Sequence, residues 1–272
     1  LPKAMGVIKN PLVLWVMGVL EWVSYRSAHR LIGLSPGIVE GIKARGVPAE
    51  RIAMVPNGCD LDVFASEAEP WRPQGIESDD LMAVFAGTHG MANGLDAVLD
   101  AAAVLKQRGR ADIKFLLIGN GKLKSHLQLR AQREGLENVV FHDPVNKARL
   151  AGLMRATDLG MQILANVPAF YYGTSPNKFF DYIAAGVPVL NNYPGWLAEM
   201  IESNGCGYAV PAADPAAFAD ALERAAAERD QLVVKGERGL ELAEREFDRR
   251  VLSDKWARWV EGAADKAPVA AH

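Results

Sequence analysis

The chain has 272 residues, half of them apolar and 23% charged, with a formal net charge of −3. That length allows one complete domain and part of another, and the near-balanced charge gives no footing for nucleic acid or for an acidic partner surface. Its two cysteines, Cys59 and Cys206, are far apart and lack metal-ligand spacing, which excludes a disulfide framework or a zinc site and fits small buried residues in a reducing cytoplasm.

The sequence opens at Leu1 without a methionine and reads as a fragment of a longer chain. Pro11 to Leu20 is apolar but is followed by Glu21, Arg26 and Arg30. It is too short to span a bilayer and lacks the basic start and cleavage site of a signal peptide, so a buried helix over 11–28 is expected, with a helix lying on a membrane surface as the alternative. Leu31 to Leu34 reads as a short strand; Ser35-Pro36-Gly37 opens a helix ending near Gly46, and Arg51 to Val55 is a second strand running into Pro56-Asn57-Gly58. Residues 65–80 hold Pro70, Pro73, Gly75 and several acidic residues without periodicity, as expected of a linker crossing a surface.

From Leu81 apolar runs alternate with helical periods. Strands are expected at 82–86, 113–118, 139–141, 159–163, 187–190 and 208–210. Helices are expected at 95–108, 122–134, 147–155, 176–185 and 196–203. Repeated strand–helix units with apolar strands predict an α/β domain, a doubly wound, Rossmann-like parallel sheet covered on both faces. Asp214-Pro215 opens further helices, Phe247 to Val260 is a last amphipathic helix with Trp256 and Trp259, and residues 263–272 read as a disordered tail.

In such a sheet ligands bind beyond the carboxyl ends of the strands, so the loops there hold the candidate site. The first contains Gly87, Thr88, His89, Gly90, Asn93 and Gly94, and its glycines allow backbone amides to approach an anion. The second is Gly119-Asn120-Gly121, a tight turn compatible with a base or phosphate lying over it. Either loop serves equally well as a plain connection that packs helix on strand. The third runs from Tyr171 to Ser175-Pro176-Asn177-Lys178, with Ser175 as cap, Pro176 as first helical residue and Gly186 ending a short helix. Its free amides, positive dipole end and Lys178 suit a diphosphate. Asp181, about 4.5 Å further along the same face, could accept bonds from a ribose. A surface ion pair between Lys178 and Asp181 is the alternative.

This third loop resembles the donor-binding helix of retaining GT-B glycosyltransferases of family four, which carry Glu-x7-Glu followed by an Ala-x-Gly-x-Pro-Val run. Asp181 falls where the second glutamate belongs and Ala185-Gly186-Val187-Pro188-Val189 matches the run, whereas the first glutamate would stand at Gly173. Val55-Pro56-Asn57-Gly58-Cys59-Asp60 is similar to the interdomain signature, and Gly119-Asn120-Gly121 to the second glycine turn. Asp60-Leu61-Asp62, which could pass for a metal-binding Asp-x-Asp, falls inside that signature, so no metal is expected.

The resemblance implies that residues 1–64 end an acceptor-binding domain whose earlier part is missing, that 81–246 form the donor-binding domain and that 247–262 cross back to the first. It implies a retaining transferase moving a hexosyl or acetamidohexosyl unit from a nucleotide-sugar, most often a uridine diphosphate sugar, to a glycan or lipid-linked acceptor in cell-surface polysaccharide or lipopolysaccharide synthesis. No separate cofactor is needed. The expected location is cytoplasmic, with peripheral membrane association if the acceptor is a lipid. The family's arginine and lysine near the first loop have no counterpart in 87–96, so Lys178, with His89 or Asn93, is expected to stand in for them and to support departure of the diphosphate. The fragment alone is expected to bind donor weakly and turn over little. A GT-B nucleotide-sugar epimerase and a non-catalytic nucleotide-sugar binding module are the rival readings; a nicotinamide dehydrogenase is disfavoured because Gly-x-Gly-x-x-Gly is missing from the first strand–helix turn.

Overall fold

The structure is a computed structural model and describes residues 8–65 and 67–264. Helix α1 (Pro11–Ser27) starts at Asn10, whose side-chain oxygen accepts from Leu12 N–H at 2.9 Å, with Pro11 in the first turn. It leads to β1 (Leu31–Gly33), α2 (Pro36–Ala44) and β2 (Ile52–Met54). The Ser35 hydroxyl accepts from Ile38 N–H at 3.4 Å, as expected for this cap. β1 and β2 pair in parallel, Leu31 opposite Ile52, and a short helix α3 (Leu61–Phe64) follows.

The expectation that α1 is a buried helix is corrected. None of its residues is buried, and Leu12, Trp15, Leu20 and Trp22 are each more than half exposed. Only the side bearing Leu14, Gly18, Glu21 and Tyr25 is partly covered. The helix is apolar all round, and one partner layer covers only one side. Among the described residues no helix is long and apolar enough to cross a membrane.

The main body alternates strand and helix: β3 (Leu81–Ala86), α4 (Asp96–Gln107), β4 (Ile113–Ile118), α5 (Lys124–Glu134), β5 (Val139–His142), α6 (Lys147–Ala156), β6 (Leu159–Gln162), α7 (Pro168–Tyr171), α8 (Asn177–Ala184), β7 (Val189–Asn191), α9 (Trp196–Asn204), β8 (Gly207–Ala209), α10 (Pro215–Ala227), α11 (Arg229–Leu242) and α12 (Arg249–Ala264). Strands β3 to β8 form one parallel sheet in the order β5-β4-β3-β6-β7-β8. Successive side chains leave opposite faces of a strand. Leu81, Ala83 and Phe85 therefore pack with α4 and α10 on one face, and Met82 and Val84 pack with α8 and α9 on the other. Pairing in β7 begins at Val189 rather than at the expected Val187, because Pro188 has no N–H to donate. The last helix starts at Arg249 rather than Phe247, since residues 243–247 form a wide π turn. The tail expected beyond 262 lies outside the described residues from 265 onward.

Two sets of contacts join segments remote in sequence. Residues 67–80 form no helix or strand, yet Trp71 Nε1–H donates to Arg149 O at 2.7 Å and Arg72 pairs with Asp158 at 3.0 Å. In the second set Cys59 N–H donates to Phe247 O (2.9 Å) and Arg249 N–H to Cys59 O (3.0 Å). Further along α12, Arg30 donates to Trp259 O and Gly262 O, and its guanidinium lies 4.4 Å from the centre of the Trp259 ring. Trp256 remains half exposed.

Candidate functional site

The strand order reverses between β3 and β6, and the crevice beyond the carboxyl ends of those two strands is where a doubly wound sheet binds ligands. All three loops singled out in the sequence open there.

The first two loops interlock through their backbones. Gly87 N–H donates to Ile118 O and His89 N–H to Asn120 O, both at 2.9 Å, while His89 O accepts from Leu123 N–H. Gly119 and Gly121 make this possible, since they adopt φ of +143° and +158°, and a Cβ on them would lie 1.9 Å from Gly87 O and 2.5 Å from His89 O. Gly90 N–H and Asn93 N–H are also spent, on Thr88 O and Gly90 O. The expectation of a row of free amides from Gly87 to Gly94 is therefore corrected: four of them donate to neighbouring carbonyls. Gly94 packs against Ala165 after β6, and Thr88 and Asn120 are exposed at the rim.

His89 is corrected as well. Its ring is fully buried between Phe85 and Phe141, at centroid distances of 6.2 and 6.3 Å, and neither ring nitrogen has a hydrogen-bond partner among the described residues. Burial, and then the charge of Lys124, lowers its pKa, so the ring stays neutral. It supports the loop from beneath.

The third loop differs from expectation at its cap. Ser175 Oγ accepts from Asn57 N–H at 3.0 Å, and Asn57 Nδ2–H donates to Ser175 O at 2.5 Å. With its hydroxyl committed to the first segment, Ser175 caps nothing; α8 starts at Asn177, Pro176 takes the cap position, and no side chain caps the first turn. Phe179 N–H turns back to Pro176 O at 3.2 Å, and the amides of Asn177 and Lys178 at the start of α8 are left for another acceptor. Asn177 itself is exposed. Gly173, standing where the resembled pattern has its first glutamate, has no room for a side chain: a Cβ would lie 2.3 Å from Ala169 O.

Lys178 extends from the first turn of α8 toward the first loop. Its Nζ donates to Asn93 Oδ1 at 3.3 Å and lies 5.1 Å from the Phe85 ring centre, and Gly87 lies against its stem. Burial lowers its pKa to about 8, against the opposing charge of Asp181. The surface ion pair considered for Lys178 and Asp181 does not form, because the ammonium bonds Asn93 instead. Burial raises Asp181 to about 6, opposed chiefly by Lys147 and Arg249. Asp60 is held by Arg249 and stands 3.8 Å from Lys147, while Asp62 stands 3.9 Å from Arg250.

Two further residues organise the site. The Tyr182 hydroxyl donates to Val84 O and accepts from Ala86 N–H, each at 3.0 Å, fixing α8 to the end of β3. Lys124 joins the ends of β4 and β5. The available sequence signal was a lysine in the first turn of a helix, where the dipole disfavours a cation. Beside these loops lies a cavity of about 380 Å³ lined by Gly87, Thr88, Gly119, Asn120, Pro144 and Val145, among others.

Comparisons with known proteins bear on the family and the fold. The family described as "Glycosyl transferases group 1" matches residues 80–228, more than half of the chain. A D-inositol 3-phosphate glycosyltransferase of Xylanimonas cellulosilytica is 29% identical over 195 residues, 66% of this chain and 44% of that protein. The putative colanic acid biosynthesis glycosyltransferase WcaL of Escherichia coli is 23% identical over 236 residues, 86% of this chain and 56% of that one. The chain thus spans about half the length of the curated relatives it matches. Among solved structures, sucrose-phosphate synthase of Thermosynechococcus elongatus superposes with a TM-score of 0.77 at 19% identity, over 98% of this chain and 67% of that one. Anabaena HepE in complex with UDP and glucose gives 0.74 at 17% identity, over 90% and 66%. The fold is the Rossmann-like α/β fold of GT-B glycosyltransferases, and the chain belongs to the group 1 glycosyl transferases.

Proposed function

We propose that this chain is the nucleotide-sugar-binding part of a retaining glycosyltransferase. The observation that carries the reading is Lys178: a desolvated ammonium with, among the described residues, one neutral hydrogen-bond partner, beside a helix start that no described side chain caps. An unpaired cation in such a place is costly unless an anion joins it. The diphosphate of a nucleotide-sugar meets that need at Lys178 and the first amides of α8. The base then occupies the cavity between the glycine turn and Pro144-Val145, and the ribose hydroxyls donate to Asp181. HepE, of the same fold, is known in complexes with UDP and with UDP-glucose, which favours a uridine diphosphate donor.

In the reaction the bond between the anomeric carbon and the diphosphate oxygen breaks, and an acceptor hydroxyl forms the new glycosidic bond and releases its proton. Charge grows on the leaving diphosphate, and Lys178 with the α8 amides stabilises it where it develops. The relatives' names include a D-inositol 3-phosphate glycosyltransferase and a colanic acid biosynthesis glycosyltransferase, in keeping with a polyhydroxylated or glycan acceptor, and a phosphatidyl-myo-inositol mannosyltransferase, in keeping with a hexosyl donor. They give no support to an epimerase. The reading carries a cytoplasmic location, where nucleotide-sugars are made, and no cofactor beyond the donor.

The test is calorimetric titration of the chain with UDP, GDP and NAD. Saturable binding of one nucleoside diphosphate, weakened at least tenfold by Lys178→Ala and by Asp181→Ala, is expected. Preference for NAD, or unchanged affinity in both variants, overturns the site.

A further inference from the structure

We infer that Lys124 is a positioning residue that sets the width of the base cavity and so governs which base the site accepts; the inference rests on the donor-site reading above. Strands β4 and β5 run side by side as far as the Ile118–His142 pair. Beyond it they separate, Gly119-Asn120 turning to one side of the cavity and Pro144-Val145 to the other. Lys124, from the first turn of α5, reaches back into the fork. Its ammonium donates to Gly119 O at 2.9 Å, to His142 O at 3.1 Å and to Asp143 Oδ1 at 2.6 Å. An ammonium has three protons, and these acceptors use all of them.

The three contacts differ in what they do. The Asp143 side chain is 85% exposed, so that ion pair is screened and contributes little by itself. Lys124 is only 12% exposed, and its two carbonyl contacts join Gly119, in one wall of the cavity, to His142, the last residue of β5 before Pro144-Val145 in the other. His142 O also accepts from Gly119 N–H, whereas no other bond to Gly119 O appears among the described residues. Removing the ammonium therefore leaves Gly119 O without a partner among the described residues, while Gly119 N–H to His142 O and His89 N–H to Asn120 O remain, so the wall loosens at that carbonyl. Lys124 is not among the residues that line the cavity, so its effect is on shape.

The experiment compares the 272-residue chain with its Lys124→Met and Lys124→Arg variants. Each is titrated with UDP, CDP, GDP and inorganic pyrophosphate, and amide hydrogen exchange is followed at 119–122 and 142–145 without ligand. Lys124→Met should weaken the preferred nucleoside diphosphate about tenfold and narrow its advantage over the other bases. Pyrophosphate affinity should stay unchanged, because Lys178 and α8 are untouched. Exchange should speed up at both loops together, and Lys124→Arg should recover part of the base preference. Unchanged base preference, or an equal loss for pyrophosphate, overturns the inference and leaves Lys124 a structural residue. If the unaltered chain binds no diphosphate at all, the donor-site reading falls and takes this one with it; intact binding with a failed Lys124 effect removes this one alone.

Discussion

Tyr182→Phe removes one oxygen atom and tests how the candidate site is attached to the sheet. β3 pairs with β6 only at Ala83 and Val84, and past that point the Tyr182 hydroxyl serves β3, accepting from Ala86 N–H and donating to Val84 O at 3.0 Å each. The side chain is fully buried, and its ring lies so close to Gly160 that a Cβ there would sit 2.5 Å from the ring. Water therefore has no easy path to replace the hydroxyl. Each backbone group left without its partner costs about 1–3 kcal/mol, and with partial relaxation the pair comes to about 2–4 kcal/mol. For a chain of this size that lowers the melting temperature by roughly 4–16 °C, readable by circular dichroism. Because Lys178 stands one turn before Tyr182 on α8 and Asp181 directly before it, diphosphate affinity should fall in the same variant. A melting temperature within 1 °C of the unaltered chain, by the scale just used, would refute the claim that this hydroxyl carries α8.

Other substitutions and conditions bear on the remaining residues. His89→Phe should stabilise the fold by about 1 kcal/mol, since it removes two buried nitrogens without partners, and should leave diphosphate affinity unaltered; a loss of affinity would return His89 to the binding site. Diphosphate binding should be strongest between pH 6 and 8. The Asp181 carboxylate is protonated as pH falls through about 6, and the Lys178 ammonium is lost as pH rises through about 8. An acid limb identical in Asp181→Asn, followed by titration across that range, would assign it elsewhere. Gly173→Glu should not restore a family-type acid. Its Cβ would collide with Ala169 O, and a cost of roughly 2 kcal/mol should show in the urea midpoint. A stable variant with tighter donor binding would contradict that.

The sheet was legible because strands buried on both faces read as unbroken apolar runs, as in 81–86 and 113–118. Caps were legible where they act locally: Asp214 Oδ1 does accept from Ala217 N–H, and Ser35 caps α2. Ser175-Pro176 looks the same as Ser35-Pro36 on the page, but its hydroxyl answers Asn57, a partner remote in sequence. Helical spacing put Lys178 near Asp181, whereas a contact from another loop, Asn93, decides where the ammonium goes. The glycine loops were found by composition, yet composition does not say that their amides are spent on each other, nor that His89 faces the core. For α1 the apolar pattern was read correctly as a helix; whether such a helix is covered depends on its neighbours and not on its own sequence.

The locking of Gly119 over Gly87 and Gly121 over His89 also bears on how such sites diversify. Two loops that meet backbone to backbone, with no side chain between them, tolerate no independent drift: a residue inserted in one must be answered in the other. Loop exchange between relatives, by evolution or in a chimaera, should therefore succeed when residues 87–94 and 119–123 travel together and fail when either is moved alone. Side-chain substitutions at the rim, such as Thr88 and Asn120, remain free to vary and offer the cheaper route to a new donor.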